Sequence, residues 1–65
     1  MKADREKLEI AMARACMNAD SLSKAAGMPR PTLNNVITGR SARPDTIGRI
    51  AKALGIDVME ILENK

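Results

Sequence analysis

The sequence predicts an all-α domain of five short helices, two of which form a helix-turn-helix unit. The first observation behind this prediction is that apolar residues recur three and four positions apart, the spacing of one buried helix face. The second is the placement of residues that begin or end helices, because proline favours a first helical turn and glycine favours a helix end. The third is the stretch from Asn18 to Gly39, in which a glycine separates two apolar helix patterns.

Length and composition limit what the domain can be. Residues 1–65 make a single domain, and at this size only about 60% of the unfolded surface is buried on folding. Histidine is absent and Cys16 is the only cysteine, so a zinc finger is excluded and no metal or cofactor is expected. We expect Cys16 to be a small buried side chain. No apolar run suits a signal peptide or a membrane span, which predicts a cytoplasmic protein.

The first helix is predicted from about Asp4 to Cys16. Leu8, Met12 and Ala15 share one face at helical spacing. The carboxylate of Asp4 lies at the start, where it suits the positive end of the helix dipole. One face of this helix is therefore expected to enter the core.

The second helix is predicted from Ala19 to Ala26. Asn18 is a candidate cap at its start, and Gly27 can take the positive φ that ends it. The small residue Ser23 lies four positions before Gly27, where the second and third helices would cross.

The third helix is predicted to begin near Pro31 and to end at Gly39. Its apolar positions, Leu33, Val36 and Ile37, keep helical spacing. In a helix-turn-helix unit this second helix of the pair lies in the major groove of DNA.

The fourth helix is predicted to begin at Pro44 and to end at Gly55. Its apolar residues keep helical spacing: Ile47, Ile50, Ala51 and Leu54. Asp57 followed by Glu60 fits a capping box for a fifth helix. That helix would carry Val58, Ile61 and Leu62.

Charge is unevenly distributed along the chain. Residues 24–52 carry six basic side chains and one acidic one, whereas residues 1–23 are neutral and residues 53–65 sum to −2. The basic charge therefore coincides with the third helix and the loop after it, as a phosphate-binding face requires. Aromatic residues are absent, which favours duplex DNA over single strands, since the latter are bound on aromatic platforms.

The sequence resembles the Xre/Cro-type family of phage and bacterial repressors. The residues that carry the resemblance are Leu22, Ser23, Gly27, Gly39, Pro44 and the run from Ile50 to Ile56. That run, IAKALGI, is similar to the family's IAKALGV pattern, and the resemblance extends from the first helix to about Leu62. It implies a five-helix lambda-repressor-like domain of bacterial or phage origin that binds double-stranded DNA. No small-molecule effector is expected, because the fold uses the whole of residues 1–65.

The resemblance also implies which residues contact DNA. The residues expected to contact bases lie at the start of the third helix and one turn further on, and they are Arg30, Asn34, Asn35 and Thr38. Phosphate contacts fall to the start of the second helix and the loop after the third: Asn18, Ala19, Ser21, Arg40, Ser41 and Arg43. Arginine can pair bidentately with guanine, and asparagine with adenine, because their donors and acceptors match those base edges.

The chain departs from the family pattern at three places. Ala19 stands where many members have Gln. One contact with the DNA backbone is therefore expected to be lost, or to be made by Ser21 instead. Arg30 lies between two prolines and is expected to cap the third helix, since a residue before proline avoids the helical region. Met12 and Ile37 stand where many relatives pair Arg with Glu, and we expect an apolar contact between them instead.

These observations favour a sequence-specific, double-stranded DNA-binding transcription regulator, expected to be a repressor that binds a palindromic operator as a homodimer. The expected dimer interface uses the C-terminal apolar residues Ile56, Val58, Met59 and Leu62. Met12, Met17 and Met28 are expected to fill the core. The alternative is a protein-binding module, such as an antitoxin or anti-repressor subunit, which would lack salt-dependent operator binding. An enzyme is not expected, because no catalytic acid–base pair or activated nucleophile is present.

Overall fold

The computed structural model describes residues 1–63 and contains four α-helices followed by one turn of 3-10 helix. The helices are α1 (Arg5–Arg14), α2 (Ala19–Ala26), α3 (Arg30–Ile37) and α4 (Pro44–Leu54), and the 3-10 turn is Val58–Glu60. The prediction of an all-α fold with a helix-turn-helix unit is confirmed, since three residues join α2 to α3. Within residues 1–63, no helix combines the length and the apolar character needed to cross a membrane.

The predicted fifth α-helix is wrong, because the chain continues past Glu60 in a different conformation. The predicted Asp57–Glu60 capping box is present, with the Asp57 N–H donating to Glu60 Oε2 at 3.4 Å. Beyond it, Leu62 forms an isolated antiparallel bridge with Ala3. The Ile61 carbonyl accepts the Asp4 N–H at 2.7 Å, so this backbone group bonds to the N-terminal segment instead of to a further helical turn.

Each of the four α-helices, and the segment after the 3-10 turn, contributes at least one fully buried side chain to the core. These side chains are Leu8, Leu22, Leu33, Val36, Ile47, Ile50 and Ile61. Ser23 is also buried, and its hydroxyl donates to the Asp20 carbonyl at 2.8 Å, so the small residue where α2 meets its neighbours has a hydrogen-bond partner. Met12, Met17 and Met28 are half-buried against this core, as expected. The contact between Met12 and Ile37, which is also half-buried, stays a prediction.

All four helices end in the same backbone arrangement. After α2, Gly27 has φ +66°, and the Met28 N–H donates to the Ser23 carbonyl at 3.0 Å. This pattern is the Schellman motif, in which a left-handed residue closes the last helical turn. Gly39 and Gly55 occupy the left-handed position after α3 and α4.

At the end of α1 the left-handed residue is Cys16, with φ +55°. The Met17 N–H donates to the Met12 carbonyl at 2.9 Å, so the motif forms without glycine. Cys16 is exposed, and the expectation that its thiol is buried within the helix was wrong. The reason is that α1 ends at Arg14, which leaves Cys16 in the turn before α2.

Candidate nucleic-acid interface

The start of α2 is held by a side-chain cap. Asn18 Oδ1 accepts the Ser21 N–H at 2.8 Å. The N–H groups of Ala19 and Asp20 precede the first intrahelical hydrogen bond, so they have no acceptor within the helix and suit an anion. The predicted phosphate-contacting residues Asn18, Ala19 and Ser21 are therefore together. Because the cap engages the Ser21 N–H, Ser21 itself has its hydroxyl left to offer to DNA.

Helix α3 begins one residue earlier than predicted. Pro29, with φ −64° and ψ 149°, is the capping residue, and Arg30 is the first residue of the helix. The prediction that Arg30 caps the helix was wrong. A proline in the first helical turn costs no hydrogen bond, because the N–H that it lacks would have no helical acceptor there, and so Pro31 is tolerated directly after Arg30.

The four predicted base-contacting residues are all exposed on or beside α3. Arg30, Asn34 and Thr38 follow one another at intervals of four residues and form a polar stripe, with Leu33 and Val36 buried on the other side of the helix. The Arg30 Nε–H donates to Asn34 Oδ1 at 3.3 Å. The Asn34 amide nitrogen therefore remains to donate to a ligand.

Thr38 is engaged with α3 itself. Its hydroxyl lies 3.0 Å from the Asn34 carbonyl oxygen and 3.1 Å from that of Asn35. The hydroxyl proton is thereby directed to the helix, and the side chain offers an acceptor oxygen and a methyl group to a partner.

An ion pair joins the starts of α2 and α3. Arg30 Nη1 donates to Asp20 Oδ1, and both side chains remain substantially exposed, at 45% for Arg30 and 71% for Asp20. The sequence interpretation missed Asp20. The signal was available, since a helix-turn-helix unit brings both helix starts to one surface and Asp20 lies only two residues after the cap.

A groove of about 330 Å³ lies on the other side of α3, between that helix, the loop after it and the start of α4. It is lined by Thr32, Asn35, Val36, Ser41, Ala42, Arg43 and Thr46. The groove brings together three residues predicted for different roles, Asn35, Ser41 and Arg43. Thr32 and Thr46 add hydroxyl groups that the sequence interpretation missed, and no sequence signal marked them.

Two sides of α3 can thus be distinguished. The helix side consists of Asn18, Ala19, Asp20, Ser21, Arg30 and Asn34. The loop side consists of Thr32, Asn35, Arg40, Ser41, Arg43 and Thr46. The only ion pairs within residues 1–63 are Arg5–Glu9, at 3.6 Å, and Arg30–Asp20. The arginine of the helix side is therefore paired, whereas those of the loop side have no carboxylate partner in this part of the chain.

The loop is tied to the first residue of the chain. The Ala42 N–H donates to the Met1 carbonyl at 2.6 Å, and the Met1 amino group donates to the Ala42 carbonyl at 3.0 Å. These bonds fix the backbone between Arg40 and Arg43, so the loop arginines project from a held segment.

The four residues predicted for a dimer interface differ in how much of their side chains is exposed. Met59 is 69% exposed, whereas the other three are half-buried and pack against the chain's own core. Ile56 lines a groove with Lys7 and Ile10 of α1. Leu62 lines a different groove, beside Met1.

The chain matches the family model of the Cro/C1-type helix-turn-helix DNA-binding domain over residues 7–65. Because the match covers most of the sequence, the chain belongs to this family of DNA-binding domains, and the resemblance to Xre/Cro-type proteins is confirmed. No curated protein shows significant similarity to the chain. Comparison with solved structures likewise gives no significant match.

Proposed function

We propose that this Cro/C1-type domain is a sequence-specific regulator of transcription, and that it acts as a repressor by binding a palindromic operator in duplex DNA. The observation that carries the proposal is the exposed polar stripe on α3. It has a helix start on one side and, on the other, arginines with no carboxylate partner within residues 1–63. Base-reading groups between two phosphate-binding edges are what a helix in the major groove requires. Residues 1–65 would act as one domain.

The stripe on α3, together with Asn35 on the loop side, would read the bases. Arg30 would pair with a guanine, while Asn34 and Asn35 would pair with adenines, as their side-chain donors and acceptors allow. Thr38 would contact a thymine methyl group or accept a hydrogen bond, since its proton is directed to the helix.

The two edges would hold the phosphates. Asn18, Ala19 and Ser21 would bind one phosphate through the free N–H groups and polar side chains at the start of α2. Arg40, Ser41 and Arg43 would bind the phosphates on the far side of α3. This edge would supply most of the attraction, because its arginines have no carboxylate partner within residues 1–63.

A homodimer on DNA would place two copies of α3 in successive major grooves, about 34 Å apart. The exposed Met59 would lie at the centre of the interface, with Ile56, Val58 and Leu62 at its margin. Analytical ultracentrifugation at tens of micromolar measures whether the free protein dimerises. A species of only 7.0 kDa would exclude a stable free dimer and leave dimerisation on DNA.

The proposal is tested by selecting bound duplexes from a random pool and by measuring the Kd of the best duplex at several salt concentrations. We expect selection of an inverted repeat, and a log–log salt dependence that reflects several phosphate contacts. Binding without preference for any duplex, or without salt dependence, would contradict the proposal and favour a protein-binding module.

A further inference from the structure

The Arg30 guanidinium is held from two directions on the surface proposed to face DNA. Asp20 Oδ1 accepts from Nη1, and Asn34 Oδ1 accepts from Nε at 3.3 Å. A guanidinium has five N–H groups, so three remain, including both on Nη2. Two N–H groups suffice for a bidentate contact with guanine. Arg30 can therefore pair with a guanine without releasing Asp20.

The carboxylate of Asp20 stands among groups proposed to bind phosphate. Asn18, Ala19 and Ser21 are its immediate neighbours at the start of α2. A negative charge at that place opposes the approach of a phosphate, and it also cancels the attraction that Arg30 would exert on any DNA. Asp20 is thus unfavourable for affinity in general, while it holds the one arginine on α3 in a fixed orientation.

We infer that Asp20 determines specificity: it orients Arg30 toward a guanine and prevents Arg30 from adding attraction to DNA of any sequence. The inference rests on the proposed function. Asp20 is a positioning residue, because it acts through Arg30. Full discrimination at the G·C pair that Arg30 reads requires both side chains.

The test compares Asp20→Asn with the matched control Asp45→Asn. Asp45 is likewise an exposed carboxylate in the first turn of a helix, α4, and forms no ion pair within residues 1–63. Each variant is titrated against the selected operator, against the operator with the Arg30-dependent G·C pair replaced, and against a random duplex. Arg30→Ala identifies that pair as the position where preference is lost.

We expect Asp20→Asn to bind the random duplex about fivefold more tightly and to lose about fivefold in discrimination at the G·C pair. Asp45→Asn is expected to bind all three duplexes more tightly by a similar factor and to keep its discrimination. Asp20→Glu restores the charge and is expected to recover part of the discrimination. In the Arg30→Ala background, Asp20→Asn is expected to leave discrimination unchanged, because the side chain that it orients is gone.

Several results would overturn the inference. If Asp20→Asn keeps the parent's discrimination, or if Asp45→Asn loses it equally, Asp20 does not act through Arg30. If Asp20→Asn also lowers discrimination in the Arg30→Ala background, the same conclusion follows, because Arg30 is then absent. If the unaltered protein selects no duplex, the proposed function fails and the inference fails with it. If it does select a duplex but Asp20→Asn leaves discrimination unchanged, only the inference fails. Thermal unfolding followed by circular dichroism verifies that each variant is folded, and Asp20→Ser replaces Asp20→Asn if that variant is not.

Discussion

The two sides of α3 differ in how their charge is compensated. On the helix side, Arg30 is paired with Asp20 and also donates to Asn34. On the loop side, Arg40 and Arg43 have no carboxylate partner within residues 1–63. An arginine that is already neutralised gains little from a phosphate at any DNA sequence, whereas a free arginine gains from every phosphate. The difference predicts a separation of roles between the arginines, with Arg30 contributing discrimination between sequences and Arg40 and Arg43 contributing affinity for any DNA.

The largest expected effect comes from removing the charge of the loop side. The double variant Arg40→Ala, Arg43→Ala is expected to weaken binding to every duplex by about 100-fold, because two charge-assisted contacts are lost. The log–log salt slope should fall by about 1.8, the value for two phosphates. Fluorescence anisotropy at several salt concentrations measures both quantities. Arg14→Ala removes an exposed charge from the end of α1 and serves as the control.

A smaller effect is expected from Arg30→Ala on the helix side. Preference at one base pair should be relaxed by about 1–3 kcal/mol, while the salt slope stays close to that of the parent. Titration against the operator and its single-base-pair variants gives the comparison. Equal, sequence-independent losses for Arg30→Ala and for the loop variant would contradict the separation of roles.

Gly27 affects both sides alike, because it sets the turn between α2 and α3. A Cβ atom added by Gly27→Ala would have no neighbouring atom within 4 Å, so the substitution causes no steric clash. Alanine would still have to adopt φ +66°, and the expected loss of stability comes from that backbone conformation alone. We expect a loss of about 1 kcal/mol in the free energy of unfolding, measured by urea denaturation. Discrimination between base pairs should be unchanged once the measured affinities are corrected for the fraction of the variant that is folded. A changed preference would mean that the helix-helix angle, and not the charge pairing, sets specificity.

The smallest expected effect is a gain in stability at Cys16, which lies outside both sides. Cys16→Gly should raise the free energy of unfolding by about 0.5–1 kcal/mol, since glycine adopts the left-handed conformation without a Cβ penalty. Cys16→Ala keeps that penalty and is the matched control. No gain in Cys16→Gly over Cys16→Ala would show that backbone strain at this turn is negligible. DNA binding by both variants should match that of the parent.

Local residues were sufficient to predict the four helices. As expected, α2 has Asn18 as its N-terminal cap and Gly27 as its C-terminal cap, and α4 begins at Pro44. These positions were predictable because caps and turns depend on residues that are neighbours in sequence. Cys16 was placed wrongly because no glycine marks the end of α1. The four predicted base-contacting residues are exposed on or beside α3, since an amphipathic pattern determines which face of a helix is polar.

Contacts between distant residues could not be predicted in the same way. The bridge between Ala3 and Leu62 replaces the expected fifth helix, and no local pattern distinguishes the two outcomes. The pairing of Asp20 with Arg30 likewise depends on how α2 and α3 cross. The sequence predicted candidate DNA-contacting residues but not Asp20, and the structure was needed to find that Arg30 is already engaged with it.

The backbone contacts of the first four residues lead us to expect an order in which the molecule opens. The Ala42 N–H donates to Met1, the Ile61 carbonyl accepts from Asp4, and the Glu63 N–H donates to Lys2. These bonds close some of the longest loops in the chain, whose closure is the most costly in entropy, so they are expected to form after the helices have packed and to break first. Hydrogen exchange at the amides of Asp4, Ala42 and Glu63 should therefore be faster than in the core and similar at all three. The loop that carries Arg40 and Arg43 would then be released whenever the N-terminal segment detaches, before any helix unfolds.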